Sequence, residues 1–183
     1  HSTLEKIDQN AFELAVDTIL HAKHIYIIGI RSCAPLASFM AFYFTLMFPN
    51  VHLIQTSSSS EIFEQMVRIG KEDVIIGISF PRYSMRTLKA MEFANNRSAK
   101  VITLTDSVHS PMNLYSSCNL IADSDMASIV DSLVAPLSVI NALIVALCMK
   151  KQNEVAKTLE MLEDIWDEYQ VYENDEINYI DDS

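Results

Sequence analysis

The chain has 183 residues, of which 50% are hydrophobic and 20% are charged, a composition typical of a folded domain and not of a disordered segment. Its formal net charge is −11, which argues against direct binding of nucleic acid or of an anionic membrane by this chain. The cysteines Cys33, Cys118 and Cys148 are scattered without metal-ligand spacing, so we expect reduced thiols, a cytoplasmic location, no metal and no cofactor.

The N-terminal part of the chain alternates between helical and strand patterns. Apolar residues recur every three or four positions over Leu4–Ala22, which predicts a helix. His24–Gly29 has the pattern of a first strand, and the turn Ile30–Cys33 leads into a long apolar helix over Ala34–Phe48. A short second strand is predicted over Val51–Ile54.

A hydroxyl-rich loop and a third strand follow. Thr56 and the serine run Ser57–Ser60 are short and lie between regular elements, so we interpret them as a loop with a helix N-cap. A helix is predicted over Glu61–Arg68, with Gly70 in the place of a C-cap glycine. Val74–Ile78 is apolar and rich in β-branched residues, which indicates a strand buried on both faces.

The clearest indication of a binding site is the turn that follows this strand, which reads SFPRYS. Pro81 cannot continue a central strand because it lacks an N–H. Helical spacing resumes over Met85–Asn96, so Ser84 stands where an N-cap belongs. Helix N-termini present unpaired N–H groups and a partial positive charge, and this end could hold an anion. An ordinary cap with Arg82 in solvent accounts for the same pattern.

The rest of the chain continues the alternation of strands and helices. The predicted elements are a strand over Lys100–Thr105, a loop over Ser107–Ser117, a strand over Asn119–Ala122, an apolar helix over Met126–Met149, an amphipathic helix over Glu154–Tyr169 and a frayed acidic tail after Tyr172. The helix over Met126–Met149 is apolar nearly all round, so we expect it to be buried in the core or in a dimer interface.

Strands that alternate with helices predict an α/β fold with a parallel sheet and right-handed crossovers. We expect three layers and five strands in the flavodoxin-like order 2-1-3-4-5. In that order ligands bind in the crevice where the chain reverses, between the first and third strands. The turns Ile30–Cys33 and Ser79–Ser84 follow those two strands, so two hydroxyl-bearing turns should converge on one crevice.

The second of these turns resembles the phosphate-binding turn of SIS (sugar isomerase) domains, and more closely that of the effector domains of RpiR-type bacterial transcriptional regulators. In SIS domains this turn usually reads S-x-S-G-x-[TS] and holds the phosphate of a phosphosugar. Ser79 and Ser84 match its first and last positions. Pro81 and Arg82 replace the middle serine and the glycine, a variant more similar to the regulators than to the isomerases.

The first turn resembles the G-x-G-[TS]-S turn of the same domains. Gly29 matches the first glycine and Arg31 replaces the second. Ser32 stands at the first hydroxyl position and Cys33 at the second. A thiol is a weak hydrogen-bond partner, so this turn would contribute less to sugar binding than usual, or the ligand differs.

The resemblance covers roughly His24–Met149 and implies one SIS domain over residues 1–183, with a core at about 24–149 and flanking helices at 3–22 and 154–172. It implies the phosphosugar-binding effector domain of a regulator of sugar metabolism, which forms a homodimer or a higher homo-oligomer. DNA would be bound only by an N-terminal helix-turn-helix domain that we expect to be missing from this chain. The residues implied in ligand binding are Gly29, Ser32, Cys33, Ser79, Arg82 and Ser84.

Two other interpretations remain open. A single-domain aldose–ketose sugar-phosphate isomerase would need a positioned base, for which Glu61, Glu64 and His109 are candidates. A purely structural dimer module would explain the apolar helices but not the two converging turns. Within the regulator interpretation, Arg82 either pairs with the phosphate or faces a partner subunit, and Arg31 is either a ligand contact or a surface charge.

Overall fold

A computed structural model describes residues 8–123 and 133–181, and describes side chains as far as residue 170. Five strands form one all-parallel sheet in the order β2-β1-β3-β4-β5. The strands are β1 (Ile25–Gly29), β2 (Val51–Ile54), β3 (Val74–Ile78), β4 (Lys100–Thr105) and β5 (Cys118–Ile121). The predicted α/β class and strand order are confirmed.

Six α-helices flank the sheet within the described residues. They are α1 (Gln9–His21), α2 (Ala34–Met47), α3 (Ser59–Gln65), α4 (Met85–Asn96), α5 (Val134–Lys150) and α6 (Gln152–Asp181). Two short 3-10 helices, Arg31–Cys33 and Pro111–Tyr115, lie after β1 and before β5. The second of them occupies part of the segment that the sequence predicts as a loop.

The sheet is buried on both faces, which gives the three predicted layers. In β1 the side chains of Ile25 and Ile27 pack in one core cluster with α1, α2 and α5. Tyr26 and Ile28 point the other way, into a second cluster with α3 and α4. Successive side chains of a strand alternate between faces, so a continuous apolar run supplies both cores.

The sequence prediction is tested at the end of the third helix but not at the start of the first. The first described helix begins at Gln9, where the Asp8 carboxylate caps it and accepts hydrogen bonds from the amides of Asn10 and Ala11 at 2.9 and 3.3 Å. The predicted start at Leu4 lies outside the described residues. The third helix ends at Gln65, so the prediction that Gly70 is its C-cap glycine is wrong. No glycine in the described part of the chain has a positive φ.

The long apolar helix α5 is buried on one side only. Its described part begins at Val134, and the predicted start at Met126 lies outside the described residues. Leu143 and Leu147 are fully buried against the sheet layer, whereas Val145 and Met149 are exposed. The prediction of burial in the core is therefore confirmed for one side of α5, and burial of the exposed side in a dimer interface stays a prediction.

The last helix, α6, continues to Asp181, so the tail that the sequence predicts as frayed is helical. Its first turn is anchored, because Val155 packs on the core beside α2. Farther along, Trp166 and Tyr169 are 55% and 67% exposed. No single described helix has the length and apolar character needed to span a membrane, and α5 and α6 meet such a criterion only as a pair bent by 94°.

Candidate functional site

The candidate site lies at the carboxyl ends of β1 and β3. These strands are neighbours in the sheet, and Gly29 at the end of β1 is paired in register with Ile78 at the end of β3. The turns Ile30–Cys33 and Ser79–Ser84 therefore leave the sheet side by side. Their predicted convergence at the point where the strand order reverses is confirmed.

Two serines build the turn between β3 and α4. Ser79 is buried, and its hydroxyl oxygen accepts a hydrogen bond from the amide of Ser84 at 3.0 Å. The hydroxyl oxygen of Ser84 in turn accepts from the amide of Thr87 at 3.2 Å, which confirms Ser84 as the N-cap of α4. Thr87 itself has a fully buried hydroxyl without a hydrogen-bond partner among the described residues.

This arrangement leaves donors for an anion. A serine hydroxyl has one proton to donate and two lone pairs, and the hydrogen bonds that Ser79 and Ser84 make use only lone pairs. Within the described chain no backbone acceptor pairs with the amides of Arg82 and Tyr83. The first turn of α4 holds no acidic side chain, so the partial positive charge at its N-terminus is not neutralised locally.

Both turns contain a non-glycine residue in the left-handed region. Arg31 has a φ of 57° and Arg82 a φ of 58°, a conformation that costs an L-residue about 1–2 kcal/mol. These are the positions at which the SIS turn patterns have glycine. Each turn thus keeps the backbone form of the glycine while carrying a guanidinium instead.

The first turn places its predicted residues differently from one another. Ser32 is exposed in the 3-10 helix, whereas Cys33 is buried in the core cluster beneath it. Gly29 is needed for close packing, because a Cβ there would lie 2.6 Å from the carbonyl oxygen of Cys33. Ser32 is therefore the hydroxyl that this turn presents at the surface.

A contact that the sequence did not reveal ties the second turn to the end of β4. The hydroxyl of Tyr83 donates a hydrogen bond of 2.6 Å to Oδ1 of Asp106. Partial burial and this bond raise the pKa of Tyr83 above its ordinary value, which keeps the phenol protonated as the donor. The only signal in the sequence was the position of both residues after neighbouring strands.

The candidate bases of the isomerase interpretation lie on two elements, a helix and a loop. Glu61 and Glu64 are on α3, and Glu61 accepts a hydrogen bond of 2.5 Å from the hydroxyl of Thr56. His109 is exposed in the loop after β4. Among the described residues no group of three or more histidine, cysteine or carboxylate side chains could hold a metal ion.

Sequence comparison assigns most of the chain to one domain type. The family model of the SIS domain matches residues 18–146. An uncharacterized HTH-type transcriptional regulator of Caldanaerobacter subterraneus subsp. tengcongensis is 25% identical over 165 residues, which are 87% of this chain and 57% of that protein. The chain thus spans little more than half the length of this curated relative.

Solved structures share the fold. The sugar isomerase domain of an RpiR transcription factor from Sphaerobacter thermophilus has a TM-score of 0.84 and 23% identity, over 89% of this chain and 90% of that one. NanR of Vibrio vulnificus, solved with ManNAc-6P, has a TM-score of 0.77 and 19% identity, over 90% of this chain and 64% of that one. A Methanococcus jannaschii protein with an inferred 3-hexulose-6-phosphate isomerase function has a TM-score of 0.66 and 16% identity, over 82% and 84%.

Proposed function

This chain belongs to the SIS domain family, and from that premise we propose that it is the phosphosugar-binding effector domain of a transcriptional regulator of sugar metabolism. The similarity to RpiR and NanR domains and to an HTH-type regulator supports this assignment. A sensor needs only different affinities for its ligand in two states of the protein, and no chemistry.

One observation carries the proposal: the turn Ser79–Ser84 has unused donors at the N-terminus of a 12-residue helix. The phosphate would lie there, bound by the hydroxyls of Ser79 and Ser84 and by the amides that have no backbone acceptor in the described chain. Arg82 would add a charged fork suited to phosphate oxygens. Gly29, Ser32 and Cys33 would form the other wall of the site, where Ser32 would contact the sugar and Cys33, which is buried, would support the turn from below.

DNA binding belongs, in this proposal, to an N-terminal helix-turn-helix domain outside the chain. The relative that matches is named an HTH-type regulator, and this chain spans 57% of its length. The net charge of −11 makes the SIS domain itself unsuited to a phosphate backbone. As part of a regulator whose cysteines are reduced, the protein would act in the cytoplasm.

The domain would work as a homodimer or a higher homo-oligomer. Exposed apolar side chains occur at Phe42 on α2, at Val145 and Met149 on α5 and at Trp166 on α6. Apolar surface of this kind marks an interaction surface in most proteins when it is contiguous. A ligand at the crevice could then shift the arrangement of two copies and so of the attached DNA-binding domains.

The proposal is tested by ligand-induced stabilisation of this chain with a panel of sugar phosphates. A ligand at about a hundred times its Kd adds about 2.7 kcal/mol to the stability, which gives a clear rise in melting temperature. The same sugars without phosphate should give little shift. A panel in which no sugar phosphate raises the melting temperature would contradict a phosphosugar site.

The isomerase alternative rests on Glu61, which is held by Thr56 near the carboxyl end of β2. If that carboxylate moved a proton between sugar carbons, the chain would interconvert an aldose phosphate and a ketose phosphate at an enzyme-like rate. Chromatography of the sugar phosphates after incubation distinguishes the two functions. Under the regulator proposal their composition stays constant.

A further inference from the structure

Arg31 and Arg82 occupy equivalent places in the two turns. Both have a φ close to 57°, at positions where the SIS turn patterns have glycine. Glycine would hold the same backbone without steric cost, so the shape of the turns does not explain the two arginines. Strained residues of this kind cluster at ligand-binding sites.

Neither guanidinium is neutralised by a neighbour within the described residues. Neither side chain forms an ion pair or a hydrogen bond with that part of the chain. Asp106, the acidic residue that contacts the second turn, accepts its hydrogen bonds from Tyr83 and Thr105. Two cations that have no partner among the residues at 8–123 and 133–181 thus lie at one crevice, in a chain with 24 acidic and 13 basic residues.

The arginines stand on opposite walls of the crevice. Arg31 follows Gly29 by two residues and leads into α2, whereas Arg82 follows Ile78 by four residues and leads into α4. Gly29 and Ile78 are register partners on strands that lie about 4.8 Å apart. A phosphate bound at the N-terminus of α4 would therefore lie at the turn that carries Arg82, and Arg31, whose side chain is exposed, lies on the neighbouring turn.

We propose that the effector carries a second anionic group besides its phosphate, and that Arg31 binds this second group. The inference rests on the proposed function, since it names the class of phosphosugar that the same site takes: a sugar bisphosphate or a phosphorylated sugar acid. The planar fork of a guanidinium pairs with two oxygens of either a phosphate or a carboxylate.

Titration calorimetry at constant ionic strength tests the ligand class with compounds that share one carbon skeleton. The probes are glucose 6-phosphate, glucose 1,6-bisphosphate and 6-phosphogluconate, with the corresponding mono- and bisphosphates of fructose as a second set. We expect at least one compound with two anionic groups to bind ten times or more as tightly as its matched monophosphate. Binding of monophosphates with equal or higher affinity would overturn the inference and leave the proposed function intact. No binding by any compound would overturn both.

The variant Arg31→Gly tests whether Arg31 binds the second anionic group of the effector. It removes the guanidinium and relieves the left-handed strain, so the fold is retained. We expect affinity for the doubly anionic compound to fall tenfold or more, while affinity for the monophosphate changes less than twofold. Equal losses for both compounds would mean that Arg31 binds the phosphate, which overturns the inference. Arg68→Ala, which removes an exposed charge between α3 and the amino end of β3, should leave both affinities unchanged.

Discussion

The Ser79 hydroxyl and the Ser84 amide close the second turn through a hydrogen bond of 3.0 Å, and Ser84 then caps the helix that follows. One residue thus serves both the fold and the proposed site, and substitutions at Ser84 can separate the two roles. Ser84→Ala should destabilise the chain by about 1 kcal/mol through loss of the cap. It should also weaken phosphosugar binding about tenfold to a hundredfold, because hydrogen bonds to a charged group contribute about 1.5–3 kcal/mol each.

Ser84→Asp is the matched variant, because aspartate caps helices about as well as serine. Its carboxylate should preserve the stability and yet repel the phosphate, so binding should be lost. Urea unfolding and calorimetry measure the two effects. Unchanged affinity for the phosphosugar in both variants would contradict the proposal that the phosphate binds at this turn.

The bond between Tyr83 and Asp106 should contribute to stability through the coupling of two segments 23 residues apart. Tyr83→Phe and Asp106→Ala each remove this hydrogen bond, and a double-mutant cycle isolates the free energy that the two side chains share. We expect a coupling free energy of about 1 kcal/mol, below the range for buried bonds to a charged group because the pair is only partly buried. A coupling near zero in urea unfolding would mean that the turn is held by its backbone alone.

Gly29 and Gly70 offer a contrast between a packed and an open glycine. Gly29→Ala would place a Cβ 2.6 Å from the carbonyl oxygen of Cys33, so the 3-10 turn must shift, and we expect a loss of about 1–3 kcal/mol. At Gly70 a Cβ would meet no atom within 4 Å, and φ is not positive. Gly70→Ala should therefore stabilise the chain by about 0.4–1 kcal/mol. Denaturant midpoints check both signs, and a loss of equal size in both variants would contradict the close approach at Gly29.

The contact of His52 with His24 and Tyr26 should make stability depend on pH through the His52 imidazole. Nδ1 of His24 and Nε2 of His52 are 2.9 Å apart, and the rings of His52 and Tyr26 stack at 4.7 Å. Partial burial and the neighbouring His24 lower the pKa of His52 below 6.5, and Asp73 opposes this shift less strongly. Because the unfolded chain binds the proton more readily, the contribution of His52 is present above about pH 6.5 and is lost as the pH falls through the lower, folded value.

His52→Gln should remove this contribution. Between about pH 7.5 and 5, the urea midpoint of the variant should therefore decrease less than that of the unmodified chain. His109→Gln, in an exposed loop, is the matched substitution and should retain the fall of the unmodified chain. The same slope in all three proteins would assign the pH dependence to other groups.

Self-association should depend on the exposed stripe of α6. After Val155, which packs on the core, the residues Leu159, Leu162, Trp166 and Tyr169 follow at intervals of four and three, which places them on one helix face. Trp166→Ala should raise the dissociation constant of the homo-oligomer tenfold or more, since large aromatic residues dominate interfaces. Glu163→Gln, off the stripe, should change it little. Sedimentation at micromolar concentration that finds only monomers of the unmodified chain would contradict the proposal.

Local signals in the sequence predicted much of the fold. The helix α4 was predicted with both of its ends, because Ser84 as a cap and the spacing of apolar residues act within a few positions. Five apolar runs separated by helical patterns were enough for the strand order, because right-handed crossovers leave few topologies.

Features that depend on distant residues or on unfavourable backbone were beyond the sequence. The contact between Tyr83 and Asp106 exists only once β3 and β4 are paired. Arg31 and Arg82 have a positive φ, whereas arginine, like other L-residues, prefers a negative φ. Backbone propensity therefore predicts the opposite of what the structure has at both positions. The composition of an apolar helix such as α5 predicts that its surface is buried. It does not distinguish burial in the core of the same chain from burial against a second molecule.

The chain leaves the two turns toward opposite faces of the sheet. The first turn continues into α2, which packs with α5 and α6, and the second continues into α4, which packs with α3 on the other side. Ser32 lies just before α2, a helix of 14 residues and about 21 Å in length that packs against α6. Ser84 caps α4, which lies on the opposite face of the sheet from α6. A ligand bound by both turns would contact the start of α2 on one face of the sheet and the start of α4 on the other face. Under the proposed function, the ligand groups that contact the first turn would therefore be connected to the proposed oligomer interface through α2 and α6 alone.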